Sequence, residues 1–314
     1  MSLTIGIDIG GTKIAGGVVD EDGTVLRNER RRTPSRSPEG VEAAVIELVL
    51  EFKADYDVEA VGIGAAGFVD ENRSRVLLAP NLGWVDEPLR MAIQSKVDLP
   101  VVVENDANAA AWGEFKFGGT ALGSEVVCVT VGTGIGGGLI LGGQLYRGAH
   151  GIAAELGHLG VEPGGRLCGC GNRGCWEQYA SGNALVRDAR LLAAERRLEA
   201  EVLLDLGDGT PEGVEGQHIT LAARKGDPVA LAAFDSLARW LGTGLADLAA
   251  ILDPGCFVIG GGVSEAGDLL LGATRRAFIA SVSGRDNRPM PEIVLATLVN
   301  EAGLVGAADL ARYR

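Results

Sequence analysis

The chain carries one pattern twice: an apolar strand, a turn of glycine and threonine, and a returning strand. The first copy is LTIGIDIGGTKIAGGVV (3–19) and the second EVVCVTVGTGIGGGLIL (125–141). In the first, Ile5, Ile7 and Ile9 recur with the period of two that marks a β-strand. Two such hairpins so far apart are expected to seed duplicated α/β lobes that face each other across a cleft. TVLRNERRR extends the first copy to a three-stranded meander, and EGVEAAVIELVLEFK (39–53) reads as the next helix. AVGIGAAG (60–67) and PVVVEND (100–106) read as buried strands flanking another helix. Helices are expected over 183–197 and 228–252, and a late strand over 256–263. The final AGLVGAADLARYR reads as a helix that returns to the first lobe. At 314 residues two domains are the better expectation. They are a small N-terminal lobe over 1–108, joined by the C-terminal helix (about 301–314), and a large lobe over 109–300.

Composition closes off several classes of function. With 42 acidic against 28 basic residues the net charge is −14, which disfavours a nucleic-acid backbone as partner. The start, MSLTIGIDIGG, lacks the basic and long apolar regions of a signal peptide, and no apolar run is long enough to cross a bilayer. A cytoplasmic protein without membrane partners is expected. Arginines 27, 30, 31, 32 and 36 read as a solvated strand edge and loop rather than an anion site.

Both turns have the composition of a phosphate cradle. Asp8-Ile9-Gly10-Gly11-Thr12-Lys13 sets an acid at a strand end and two glycines in the turn, where backbone N–H groups can approach phosphate oxygens. Thr12 and Lys13 add a hydroxyl and a charge, and Asp8 can hold a magnesium-bound water. A plain hairpin is the competing reading. Gly132-Thr133-Gly134 offers a second cradle, and Gly260-Gly261-Gly262, at the end of the late strand, a surface for adenine or ribose. No Walker A loop is present.

Glu104-Asn105-Asp106 comes directly after an apolar strand, with a helix expected from near Ala107. Ligands of α/β proteins gather at such strand ends. Asp106 is the expected catalytic base for a hydroxyl nucleophile, with Asn105 beside it as a hydroxyl-binding group. The competing reading is a helix cap, which Asn and Asp both favour.

The densest chemistry lies in AAELGHLGVEPGGRLCGCGNRGCWEQYASG. His158, Cys168, Cys170 and Cys175 supply four soft or borderline ligands within eighteen residues. A Cys₃His set with no open position is a structural zinc site. Zinc on one ring nitrogen of His158 would leave the other as an oriented donor, flanked by Glu155 and Glu177. Cys128 and Cys256 sit in apolar runs and read as core.

These segments, from DIGGTK through GAAGFVD, ENDANAAAWGE, TVGTGIGGG, AAELGH and CGCGNRGCWEQYASG to FVIGGGV, resemble the ROK sugar kinases (repressor, open reading frame, kinase). Within that family they look most like the bacterial glucokinases. The resemblance covers nearly the whole chain. It implies the two-lobed actin/hexokinase-type (ribonuclease H-like) α/β fold and ATP-dependent phosphorylation of the 6-hydroxyl of glucose, with magnesium accompanying ATP. It implies Asp106 as base. Gly67, Asn105, Glu155, His158 and Glu177 would contact the sugar. Asp8, Gly10, Gly11, Thr12, Lys13, Gly132, Thr133, Gly134, Gly261, Gly262 and Val263 would form the nucleotide side. It also implies a homodimer or homotetramer. The rivals are a kinase of the same family for N-acetylmannosamine, fructose or allose, a polyphosphate-dependent relative, and a non-catalytic sugar sensor.

Overall fold

The computed structural model describes residues 2–34, 37–119 and 123–313. The chain divides into two compact units. The first comprises residues 1–127, 137–154 and 297–314, and the second residues 128–136 and 155–296.

The first unit opens with β1 (Leu3–Ile9), β2 (Lys13–Val19) and β3 (Val25–Arg32), then α1 (Pro38–Asp55) and β4 (Val58–Ala65). The strands β5 (Phe68–Val69), β6 (Val76–Ala79) and β7 (Trp84–Glu87) precede α2 (Leu89–Val97), β8 (Val101–Asn105) and α3 (Asp106–Phe117). The main sheet has the order β3-β2-β1-β4-β8, and β5-β6-β7 form a separate small antiparallel sheet. β1 runs antiparallel to β2 and parallel to β4, which is parallel to β8. Register aligns the strand tips: Ile9 pairs with Ala65, and Ala65 with Asn105. The ends of three neighbouring strands therefore lie level, and the segments after them emerge side by side.

Helix α1 shows how sequence sets the packing. Ser37 caps it by accepting the Gly40 N–H at 3.0 Å, and Pro38 occupies the first turn, where its missing N–H costs nothing. Val41, Val45, Leu48, Val49 and Phe52 share one face and are buried against the sheet's Ile5, Ile7 and Ile63. Each such side chain contributes about 1.5–3 kcal/mol by leaving water.

The second sheet contains β9 (Val126–Val131), β10 (Ile135–Leu141), β11 (Gln144–Tyr146), β12 (Cys256–Gly260) and β13 (Glu292–Leu295), in the order β11-β10-β9-β12-β13. The helices after α3 are α4 (Glu177–Ala180), α5 (Gly182–Glu195), α6 (Glu201–Leu206), α7 (Gly216–Arg224), α8 (Pro228–Leu252), α9 (Asp268–Ser281) and α10 (Ala302–Leu310). Asp227 caps α8 on the N–H groups of Val229 and Ala230.

Helix α10 belongs to the first unit. It lies so close to β1 and β4 that a Cβ on Gly6 would strike the carbonyl of Leu304, and one on Gly62 that of Ala307. Trp112 Nε1 donates to Asp309 at 2.7 Å, and the buried carboxylate of Glu114 accepts the N–H groups of Thr297, Leu298 and Val299. The first bond holds α3 to α10 and the others hold it to the segment leading into α10, and all three segments lie in the first unit. The helix spans 302–310, within the expected 301–314, of which Arg314 lies outside the described residues.

Candidate active site and metal centre

In the first unit the strand ends bring together Asp8, the turn Gly10 to Lys13, Gly67, Asn105 and Asp106. The turn is closed by the Gly10 N–H on the carbonyl of Lys13 at 3.0 Å, and braced by Thr33, whose hydroxyl donates to the Gly10 carbonyl at 2.7 Å. The turn does join β1 and β2 as an antiparallel hairpin, with Ile9 opposite Ile14, and neither Gly10 nor Gly11 has a positive φ. Gly11, Thr12 and Lys13 are exposed.

The capping question resolves on Asn105. Its side chain accepts the Asn108 N–H at 2.9 Å and so caps α3, while its Nδ2 donates to the Gly67 carbonyl at 3.0 Å. Asp106 is thereby spared that duty, and its carboxylate accepts the adjacent Ala107 N–H at 2.9 Å. Burial raises the Asp106 carboxyl above its usual range, against the lowering effect of backbone N–H groups. Asp8 is raised to about 6 by burial first and then by the charge of Asp106, with Lys13 opposing. Two carboxyls at level strand ends thus feel each other.

Behind Asn105 lies a charge network that the sequence reading missed. Glu104 is only 1% exposed and meets Arg147 at 2.8 Å and Arg73 at 3.1 Å. Its other oxygen accepts the Asn105 N–H and the Asn108 side chain. Arg147 also donates to the carbonyls of Asp70 and Glu71. Arg73 sits at φ 54 in a turn whose carbonyl accepts the Val103 N–H at 3.0 Å. An acid inside the apolar run VVVEN was the available signal, because such a charge requires partners.

In the second unit the turn Gly132–Gly134 is closed by the Gly132 N–H on the Gly134 carbonyl at 3.0 Å, with Thr133 exposed. Gly261 comes after β12 at φ 82, where a Cβ would lie 2.6 Å from the Val131 carbonyl oxygen. Gly262 and Val263 begin a 3₁₀ turn. Glu155 and His158 flank another 3₁₀ turn, and both are half-buried, as is Glu177 at the start of α4.

One ligand atom from each of His158, Cys168, Cys170 and Cys175 falls within 4.8 Å of all the others. Cys168 Sγ is 3.7 Å from His158 Nδ1, and the sulfurs of Cys170 and Cys175 are 3.6 Å apart. Ligand atoms on a tetrahedral zinc, with arms of about 2.0–2.3 Å, stand about 3.5–3.8 Å apart. These two pairs have the spacing such an ion needs, the donor types suit it, and Nδ1 is the ring nitrogen of His158 that faces Cys168 Sγ. Burial raises the Cys168 and Cys175 thiols, so a cation is what would hold them together as thiolates. Trp176, next to Cys175, is fully buried and donates to the Trp240 carbonyl at 2.9 Å, fastening this loop to α8. Cys128 and Cys256 are buried.

The ROK family model matches residues 4–314. A glucokinase of Streptomyces coelicolor is 55% identical over 312 residues, covering 99% of this chain and 98% of its own. A crystal structure of a ROK family glucokinase from Streptomyces griseus, in complex with glucose and AMPPNP, is also 55% identical, with a TM-score of 0.92 and full coverage of both chains. The ROK hexokinase of Thermus thermophilus is 37% identical over 99% of this chain and 98% of its own, with a TM-score of 0.79. The mixed α/β architecture is the actin/hexokinase-type fold that the family resemblance implied. With a family match across almost every residue and relatives this similar over their full length, the chain belongs to the ROK family.

Proposed function

We propose that the chain is an ATP-dependent glucokinase. Two lines support this reading. Full-length relatives at 55% identity are glucokinases, one of them crystallised with glucose and AMPPNP. The observation that carries the chemistry is the division of labour at β8, where Asn105 caps α3 and Asp106 remains available as a base.

The 6-hydroxyl oxygen of glucose attacks the γ-phosphorus of ATP. A new O–P bond forms, the bond to the ADP oxygen breaks, and the hydroxyl proton passes to Asp106. A loose phosphoryl-transfer transition state asks little of a base beyond that proton, and positioning supplies much of the rate. Gly67 and Asn105 are assigned to the sugar, as are Glu155, His158 and Glu177. The turns at Gly10–Lys13, Gly132–Gly134 and Gly261–Val263 are assigned to the nucleotide, with Asp8 toward its metal. When bound, magnesium neutralises phosphate charge. The Cys₃His set is proposed to hold zinc. His158 Nδ1 is the ligand, and its Nε2–H remains as a donor oriented toward a sugar hydroxyl.

A cytoplasmic location is proposed on two grounds: three thiols must stay reduced to bind zinc, and no helix among the described residues is long and apolar enough to cross a membrane. A homodimer or homotetramer is proposed for the assembly, to be measured by light scattering. The deciding experiment for function is a coupled assay with glucose, mannose, fructose and N-acetylmannosamine, each with ATP and with polyphosphate. Glucose with ATP is expected to give the highest kcat/KM. A higher value for another hexose or donor overturns the assignment.

A further inference from the structure

The turn Gly132–Gly134 is gripped from two sides by the segments that carry the metal ligands. On one side, Gly157 immediately precedes the ligand His158. A Cβ at Gly157 would strike the carbonyl of Ile135, the residue after the turn. On the other side, the chain leaves the ligand Cys175 through Trp176 and Glu177 and reaches Gly182. The Gly182 N–H donates to the Gly132 carbonyl at 2.7 Å. A Cβ at Gly182 would stand 2.7 Å from that oxygen and 3.3 Å from Val263 Cγ2, so this residue lies against both candidate nucleotide segments of the second unit. Between the two grips, a Cβ on Gly134 would fall 2.5 Å from Glu177 Oε2.

The two arms are already joined by backbone, since the Trp176 N–H donates to the Leu159 carbonyl at 2.8 Å. An ion ligated by His158 on one arm and Cys175 on the other would clamp them a second time. We propose that Gly157 and Gly182 are positioning residues through which the metal centre holds the phosphate turn, so that metal content sets nucleotide affinity as well as sugar affinity. The inference rests on reading the Cys₃His set as a zinc site and Gly132–Gly134 as a phosphate turn.

The test uses the full-length protein without sugar. AMPPNP with magnesium is titrated calorimetrically into wild type, Gly182→Ala and zinc-stripped wild type, with zinc counted by mass spectrometry. Gly182 has no positive φ, so alanine suits its backbone torsions, but the added Cβ presses on the Gly132 carbonyl and some fall in melting temperature is expected; the readout is the split between nucleotide and glucose binding, not stability. Both altered proteins are expected to bind AMPPNP about tenfold more weakly, in the ordinary range of coupling between sites. Gly182→Ala should keep its zinc and bind glucose within about twofold of wild type, a split that general destabilisation would not produce. By reciprocity, AMPPNP must strengthen zinc retention against a zinc-selective chelator by the same factor.

Equal AMPPNP affinity in Gly182→Ala and wild type, or zinc retention indifferent to AMPPNP, overturns the proposal. Two controls separate its failure from that of the readings beneath it. Wild type without zinc removes the metal reading. Residues 130–136 unprotected from hydrogen exchange by AMPPNP remove the phosphate-turn reading.

Discussion

The side-chain amide of Asn105 and the carbonyl of Gly67 are joined across 3.0 Å, which ties the tip of β8 to the segment just after β4. The same side chain caps α3. Asn105→Ala should therefore lose about 1 kcal/mol for the cap and about 1 kcal/mol for the second bond. It should also raise the KM for glucose, because Gly67 is released. Urea unfolding and steady-state kinetics check both effects; unchanged stability would remove the capping assignment.

Asp106→Asn should behave differently. Capping does not depend on Asp106, and burial penalises its charge, so the variant should melt no lower than wild type. Its kcat should fall about 10²–10⁴-fold, the usual worth of a positioned base. Turnover within tenfold of wild type would take the proton away from Asp106.

How much of this site was legible in the sequence varied with how local the signal was. The clustering of His158, Cys168, Cys170 and Cys175 was readable because all four fall within eighteen residues. The choice between Asn105 and Asp106 as cap was not, since both residue types cap well and only the bond to Asn108 decides it. Among the elements, α8 was expected over 228–252 and found there, because twenty-five residues of helical periodicity outweigh any local ambiguity. β5, β6 and β7 have two to four residues each, too few for a period to register, and the sheet they form was missed. α6 was missed because it has only six residues, Glu201 to Leu206, too few for a helical period to register. The arginine run read correctly as solvated: Arg27 pairs with Asp55 and Glu29, and Arg31 with Glu51, while Arg36 lies outside the described residues.

Glu104 gives a stability prediction. Glu104→Gln removes the carboxylate with which the guanidinium groups of Arg73 and Arg147 both pair, leaving Arg147 only its bonds to the Asp70 and Glu71 carbonyls. Removing one side of a buried ion pair costs about 3–5 kcal/mol. Denaturant titration should show a loss of that order, and a loss below about 1 kcal/mol would mean that water already screens the group.

Asp8 sets a pH dependence. Its native carboxyl holds a proton up to about pH 6, against 3.8 for the ordinary group. Between those values the native state binds more protons than the unfolded chain, so this group's contribution to stability declines as pH rises from about 4 to about 6 and is level above. Ionised Asp8 is the form that favours magnesium, so nucleotide affinity should run the opposite way and weaken below about pH 6. Asp8→Asn should flatten the stability profile; melting curves across that range, superimposable with wild type, would contradict the shift.

Cys168→Ala should lower bound zinc and, with it, glucose affinity, because Cys168 lies 3.7 Å from His158 Nδ1. Full zinc occupancy in that variant would show that another residue completes the set.

The close seat of α10 against Gly6 and Gly62 has a consequence for how the chain is made. Synthesis runs from the N-terminus, so β1 and β4 leave the ribosome almost a whole chain length before the helix that covers them. Until α10 has been made its seat on the first sheet is bare, and the closing contacts join Gly6 to Leu304 and Gly62 to Ala307. Nascent chains would depend on chaperones or on the speed of elongation to keep this surface from sticking to its neighbours. Loss of α10 by truncation would injure the unit whose strands β1 and β4 are made long before it.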